Sequence, residues 1–322
     1  MKKLILILIL ILICLCVVAC IQMGPTTHPE QTQPSSTGVP NTTNTPTSEP
    51  PTTTAPQPSE PPVTTAPMAD GWQEVDGKRY YYLDGKPLTG WLELDDVRYY
   101  FKEDGTMARG CVQIDGVNNY FTSTGAYILV LNPWNSMPEG YEPDLKELSS
   151  AYATSNRKVD SSCYEALKKM IKACSKASGH EMCVVSGYRS VKSQQKLFNN
   201  QVQRNLNAGY SQEEAERLAA QVVAVPGTSE HHSGLAVDII DSCCSWELEE
   251  IQEDLVGQQW LMEHSWEYGF ILRYPKDKIE VTGIIYEPWH YRYVGKELAK
   301  ELHDLDLTLE EYLDMLTAQE NA

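Results

Sequence analysis

Leu235 to Ile240 reads Leu-Ala-Val-Asp-Ile-Ile, an apolar run interrupted by one carboxylate, Asp238. A short apolar run of this kind predicts a buried strand. A carboxylate inside it is expensive to bury unless it is paired or bound to a metal. The fold must therefore bring a partner to Asp238. His231 stands in the polar loop just upstream, close to Gly234, where the backbone bends freely. Downstream, Ile284 to Val294 reads as a second strand and carries Glu287 and His290. Pro288 inside that run predicts an edge position or a bulge. Some distortion is needed, because residues three apart on a regular strand face opposite sides.

Two imidazoles, one carboxylate and one spare carboxylate are the parts of a catalytic zinc centre with an open position. The ligand set is His231, Asp238 and His290, with Glu287 as the general base. Zinc so held acidifies a water in its open position. Taken singly, His231 reads as an ordinary loop residue and Asp238 as a turn or ion-pair residue. His232 is set aside, since neighbours on an extended chain point apart. His180, His264 and His303 lie in helical or connecting segments without matching partners and read as structural or surface residues.

The pattern Ser-x-His-x-x-Gly-x-Ala-x-Asp over Ser229 to Asp238, followed by Glu287-x-x-His290, resembles the VanY-type D-alanyl-D-alanine carboxypeptidases. These are zinc peptidases that trim cell-wall peptides. The resemblance covers roughly residues 141 to 307. It implies Zn2+ on His231, Asp238 and His290, with Glu287 as base. It also implies peptidoglycan stem peptides as substrate and removal of a terminal D-alanine as the reaction. Ser186-Gly187-Tyr188-Arg189-Ser190 resembles the family's substrate-binding turn. Arg189 is then a catalytic or binding residue that holds a terminal carboxylate or the oxyanion, because guanidinium offers a planar fork of donors. Gln195, Ser229 and Trp289 are further candidates for lining the substrate site, and Trp289 reads equally well as core. Rival readings are an L,D-carboxypeptidase or endopeptidase on the same scaffold, and a wall-binding protein without activity.

The rest of the chain places this centre. Lys2-Lys3 and the apolar stretch Leu4 to Val18 predict a signal peptide over 1–19. Val17-Val18-Ala19-Cys20 resembles a lipobox and implies a lipid on Cys20, with an uncleaved anchor as the rival. The segment up to residue 70 is dominated by Pro, Thr and Ser and predicts an extended spacer. Units beginning at Gly71-Trp72, Gly90-Trp91 and Gly110-Cys111 recur 19 and then 20 residues apart. Each pairs a turn with an aromatic strand, which predicts stacked β-hairpins over 71–131. These units resemble the choline-binding or glucan-binding repeats of surface proteins and imply a cell-wall polymer as partner. The third unit departs from the pattern, with Cys111 in place of Trp and Asn119 in place of Tyr.

A connector over 132–144 leads to a domain over 145–322, for which α+β architecture is predicted, with helices around a small, mostly antiparallel sheet. Ser162 to Glu165 predicts a capping box. Further helices are predicted after Ser190, after Ser211, over 247–268 and after Thr308. Cys163 and Cys174 share one helix face yet lie too far apart to bond, and Cys183 reads as a buried thiol. A net charge of −18 argues against nucleic acid as a partner. The chain is placed on the outer face of the membrane, lipid-anchored and directed at the wall.

Overall fold

Asp and Gly residues with positive φ close three tight hairpins at the start of the computed structural model, which describes residues 68–242 and 248–321. The expected signal segment, Cys20, nearly all of the spacer, and Cys243 and Cys244 lie outside the described residues. Among the described residues, no helix is long and apolar enough to cross a membrane.

Strands β1 (Gly71–Val75) and β2 (Lys78–Leu83) join through Asp76-Gly77, and a short β3 (Lys86–Pro87) adds to them. Strands β4 (Gly90–Leu94) and β5 (Val97–Phe101) join through Asp95-Asp96. Strands β6 (Gly110–Ile114) and β7 (Val117–Phe121) join through Asp115-Gly116 and are followed by β8 (Tyr127–Ile128). Positive φ at both central residues of each turn suits the right-handed twist of the paired strands, and Asp tolerates it. Trp72 faces Tyr81, Trp91 faces Tyr100 and Cys111 faces Tyr120 in the same register. The Trp72 ring meets Tyr99 of the next hairpin at 5.0 Å, and the Trp91 ring meets Phe121 at 5.8 Å. Aromatic rings thus form the shared core that no single hairpin could bury.

After β9 (Leu145–Glu147) and β10 (Lys158–Asp160) comes α1 (Ser161–Ser178). Its cap is Asp160, whose carboxylate accepts from the Ser162 backbone N–H, and not the predicted box at Ser162. Gly179 in the left-handed region ends it. Next come β11 (Met182–Ser186), α2 (Val191–Asn207) and α3 (Gln212–Val222). Ser190 and Ser211 cap the two helices, as their position before each helix predicted. Then follow β12 (Ala236–Asp241), α4 (Val256–His264), β13 (Phe270–Leu272), α5 (Ile279–Thr282), β14 (His290–Tyr293), α6 (Lys296–Leu305) and α7 (Leu309–Glu320). Thr308 and Glu311 form a complete capping box on α7.

The four-stranded sheet has the order β11-β12-β14-β13, and every pair is antiparallel. The core packs Leu167, Met170 and Cys174 of α1 against Val184, Val237, Ile239 and Tyr291 of the sheet. The predicted strand over 284–294 is corrected: only His290–Tyr293 pairs, and it lies inside the sheet rather than at an edge. Pro288 precedes it in a turn closed by His290 N–H donating to Glu287 O, so no ladder bond is lost. The predicted long helix over 247–268 is likewise three short pieces, broken at Leu255 and Ser265. A second core joins Ile128 and Val130, just past the last hairpin, to Leu298, Leu302, Tyr312 and Leu316 of α6 and α7.

Candidate metal centre

β12 and β14 run side by side, and their pairing sets Asp238 opposite His290. His231 enters from a single 3-10 turn, Glu230–Ser233, which Gly234 ends with φ 73°. One donor atom from each of His231, Asp238 and His290 lies within 4.8 Å of the others, and all three residues are buried. His231 presents Nε2, 3.3 Å from Asp238 Oδ2. Its Nδ1 donates to Gly187 O at 2.8 Å, which fixes the ring and the tautomer. His290 presents Nδ1, 3.2 Å from Asp238 Oδ1. Glu287 Oε2 lies 3.4 Å from the same Nδ1, brought there by the turn that precedes the strand.

The electrostatics suit a cation. Burial, reinforced by the Arg189 guanidinium, pushes His231 down to about 4, so its ring is neutral at pH 7 and free to donate a lone pair. Burial opposes charge on Asp238, yet the neighbouring His231 and His290 hold it well below the usual carboxylate range. Burial also opposes charge on His290, but the Asp238, Glu230 and Glu287 carboxylates overcome it and raise its pKa well above the usual value. Three carboxylates facing one imidazole mark a place where positive charge is wanted. Asp238 Oδ1 is buried with no hydrogen-bond partner. An orphaned buried carboxylate oxygen among two imidazole nitrogens fits a zinc ion, and His231, Asp238 and His290 are the residues that could hold it.

The other candidates fall into place around a cavity of about 360 Å³ that Arg189, Ser229, Glu287 and Trp289 line together with the three donors. Arg189 is held as a fork: Nη2 donates to Ser186 Oγ at 2.7 Å and Nη1 to Gln194 Oε1 at 2.9 Å. Its Nη2 also lies 3.6 Å from Asp238. Ser229 and Trp289 are buried and line the cavity, and the Trp289 backbone O accepts from Ile239 N–H. Gln195 is corrected: it is exposed and bonds Asn199, one turn further along the same helix. The cavity residue is its neighbour Gln194, buried and anchored to Ala224 O. A step of one residue turns a helix by about 100°, so adjacent glutamines cannot share a face.

His232 points away from the donors, as expected. Its Nδ1 donates to Arg189 O at 2.6 Å and its Nε2 accepts from Gly227 N–H at 3.1 Å, so it braces the Arg189 loop. Burial lowers its pKa and favours that neutral form. Tyr274, whose ring lies 4.7 Å from that of His290, and Glu230, behind His290, have no signal in the sequence. An acid in a polar loop reads as solvated until the fold closes over it. Burial raises the pKa of Glu287, and His290 offsets this only in part.

A family model described as VanY, D-alanyl-D-alanine carboxypeptidase, matches residues 156–296. A second, described as a choline-binding repeat, matches residues 88–128. The Bacillus subtilis protein YodJ is 39% identical over 207 residues, which span 63% of this chain and 72% of that one. A variant of the vancomycin-resistance D,D-pentapeptidase VanY, solved in complex with Zn(II), is 38% identical. It superposes with a TM-score of 0.51 over 57% of this chain and 97% of its own. The LD-carboxypeptidase LdcB is 36% identical, with a TM-score of 0.53 over 65% of this chain and 94% of its own.

Proposed function

This chain belongs to the VanY family of D-alanyl-D-alanine carboxypeptidases, a zinc-dependent family of peptide hydrolases, and on that premise we propose how it works. It removes the terminal D-alanine from peptidoglycan stem peptides. The observation that carries this reading is the convergence of His231, Asp238, His290, Glu287 and Arg189 on one cavity.

In this reading His231, Asp238 and His290 hold the zinc. When bound, zinc supplies Lewis acidity and an acidified water. Glu287 takes the proton of the attacking water and hands it to the leaving amine, so each proton lost at the nucleophile is regained by the departing D-alanine. Arg189, pre-set by Ser186 and Gln194, receives the substrate's terminal carboxylate and fixes which bond lies before Glu287. Ser229, Trp289 and Tyr274 wall the cavity and keep bulk water from the reacting carbonyl.

L,D-carboxypeptidase action on a tetrapeptide is the second reading, favoured by the likeness to LdcB. Mass spectrometry of products from defined pentapeptide and tetrapeptide muropeptides separates the two. Loss of D-alanine from the pentapeptide alone supports the first reading, and shortening of the tetrapeptide alone replaces it with the second. Zinc-loaded protein that releases no amino acid from either sinks both.

The remaining organisation belongs to the same proposal: export by residues 1–19, a lipid on Cys20, a spacer to residue 70, wall-binding repeats over 71–131, and a connector to a catalytic domain over 145–322. The enzyme then works on the outer face of the membrane, tethered and held to the wall. The repeats' partner is a wall polymer recognised by something other than choline groups. Arg79 lies 4.6 Å over the Trp72 ring, and Arg98 lies 4.4 Å over Trp91 and 5.3 Å over Tyr127. These guanidinium groups already take the ring faces that a quaternary ammonium would need.

A further inference from the structure

Glu230 is the most deeply placed acid near the candidate centre, with a side chain that is 0% exposed. Its Oε1 accepts from Arg273 Nε and from Arg292 Nη1, each at 2.9 Å. Its Oε2 has no hydrogen-bond partner, and neither has His290 Nε2. These two orphans face each other at 3.6 Å. The opposite nitrogen of the same ring, Nδ1, faces Asp238 and Glu287. The His290 ring therefore stands between two acidic poles, with one nitrogen for each.

Two arginines and one glutamate would leave a buried positive charge, which is costly. Glu310 on α7 removes it by taking Arg273 Nη1 at 2.9 Å and Nη2 at 2.5 Å. The result is a neutral tetrad of Glu230, Arg273, Arg292 and Glu310. Both ends of the tetrad are anchored outside residues 156–296. Arg292 Nη2 donates to Leu129 O at 2.6 Å, just after the last hairpin. Asn132 Nδ2 donates to Glu310 Oε1 at 3.0 Å.

We propose that Glu230 is the positioning residue for His290, and that Leu129, Asn132 and the last helix hold it in place through Arg292, Arg273 and Glu310. The Glu230 carboxylate facing Nε2 favours the tautomer with its proton on Nε2, which leaves the Nδ1 lone pair for the metal. A carboxylate behind a ligating imidazole fixes its tautomer and strengthens it as a donor. A tetrad that served the fold alone has no reason to leave Oε2 desolvated and aimed at an imidazole nitrogen. This inference rests on the zinc-site reading above.

The test uses the full chain stripped of metal, with zinc affinity measured by competition against a chromogenic chelator and folding checked by circular dichroism. Glu230→Gln weakens zinc by about 10–100-fold with the fold intact. Glu310→Gln weakens it by a smaller factor. Glu301→Gln is the control: Glu301 accepts from Ser123 and Tyr312 on the same flank but does not touch the tetrad, so its loss leaves zinc affinity unchanged. Zinc affinity in Glu230→Gln equal to wild type overturns the proposal. An equal loss in Glu301→Gln and Glu310→Gln also overturns it, since the effect is then general loosening. If Glu230→Gln does not fold, Glu310→Gln decides, and unchanged affinity there overturns it. Wild-type protein that binds no zinc sinks the functional reading itself, whereas tight wild-type binding with indifferent variants sinks only the role of Glu230.

Discussion

Asp238 and His290 are direct partners in the antiparallel register of β12 and β14, and their side chains meet at 3.2 Å. Opposed residues on such strands send their side chains to one face with Cβ atoms about 5 Å apart. Backbone hydrogen bonding alone therefore brings together two donors that lie far apart in the chain. The third, His231, needs only the turn that Gly234 permits.

In the proposed mechanism Glu287 transfers the proton and does not ligate the metal. Glu287→Gln keeps the wild-type zinc content, measured by atomic absorption, while D-alanine release falls by about 10²–10⁴-fold. Turnover close to wild type in a zinc-loaded variant removes Glu287 from the mechanism.

Arg189 offers two nitrogens in one plane, and Ser186 and Gln194 hold them there. Arg189→Lys keeps the charge and loses the fork. Its kcat/KM falls by about 10–100-fold, as the loss of one charge-assisted contact implies. Wild-type enzyme loses a similar factor on a substrate whose C-terminus is amidated, whereas the variant barely distinguishes the two substrates. A variant as sensitive to amidation as wild type contradicts the role.

Cys163 and Cys174 are free and buried on one face of α1. Burial pushes both thiols up from 9.0 to about 12. The neutral thiol is therefore the form the fold favours. Its contribution to stability is complete below pH 9.0 and is lost as pH rises towards about 12. At pH 8 neither reacts with an aromatic disulfide reagent in the native protein, and both react after denaturation. Rapid native labelling of either one, located by peptide mapping, contradicts this.

Gly110 lies against the last helix, where an added Cβ would sit 2.7 Å from the Thr317 backbone nitrogen. Gly116 has a similar positive φ with nothing within 4 Å. Gly110→Ala and Gly116→Ala share the backbone strain, and only the first adds a clash. The first variant loses about 1–3 kcal/mol more, read as a larger drop in Tm. Equal drops rule out tight packing of this hairpin on α7.

Arg79 and Arg98 cover the tryptophan faces of the first two hairpins. Choline therefore leaves wild-type tryptophan fluorescence unchanged, and Arg98→Ala makes it responsive by uncovering Trp91. A saturable wild-type response to choline refutes this.

Local patterns carried much of the architecture. The Asp-Gly and Asp-Asp turns, the aromatic register, the caps at Ser190, Ser211 and Thr308, and the Gly179 stop are all readable within a few residues. Short-range signals misled where a longer-range alternative existed. Pro288 suggested an edge position or a bulge in a long strand, yet it sits in a turn before a short interior one. Ser162 looked like a cap, but Asp160, two residues earlier, accepts from the Ser162 N–H and caps the helix instead. Gln195 and Gln194 are indistinguishable as letters, and only the rotation of α2 against the cavity separates them.

The chain by itself determined which chemistry was available: two imidazoles, a carboxylate in an apolar strand, a spare acid and a guanidinium fork. Each is a property of residue type and near neighbours. The tertiary structure alone decided what stands behind them. Glu230 is an ordinary loop acid until Arg273 and Arg292 pair with it and Glu310 pairs in turn with Arg273. Those partners come from β14, the residue after β13, and α7. Desolvation and charge pairing act through space, so no local pattern could announce that Glu310 of the last helix pairs with an arginine that holds Glu230.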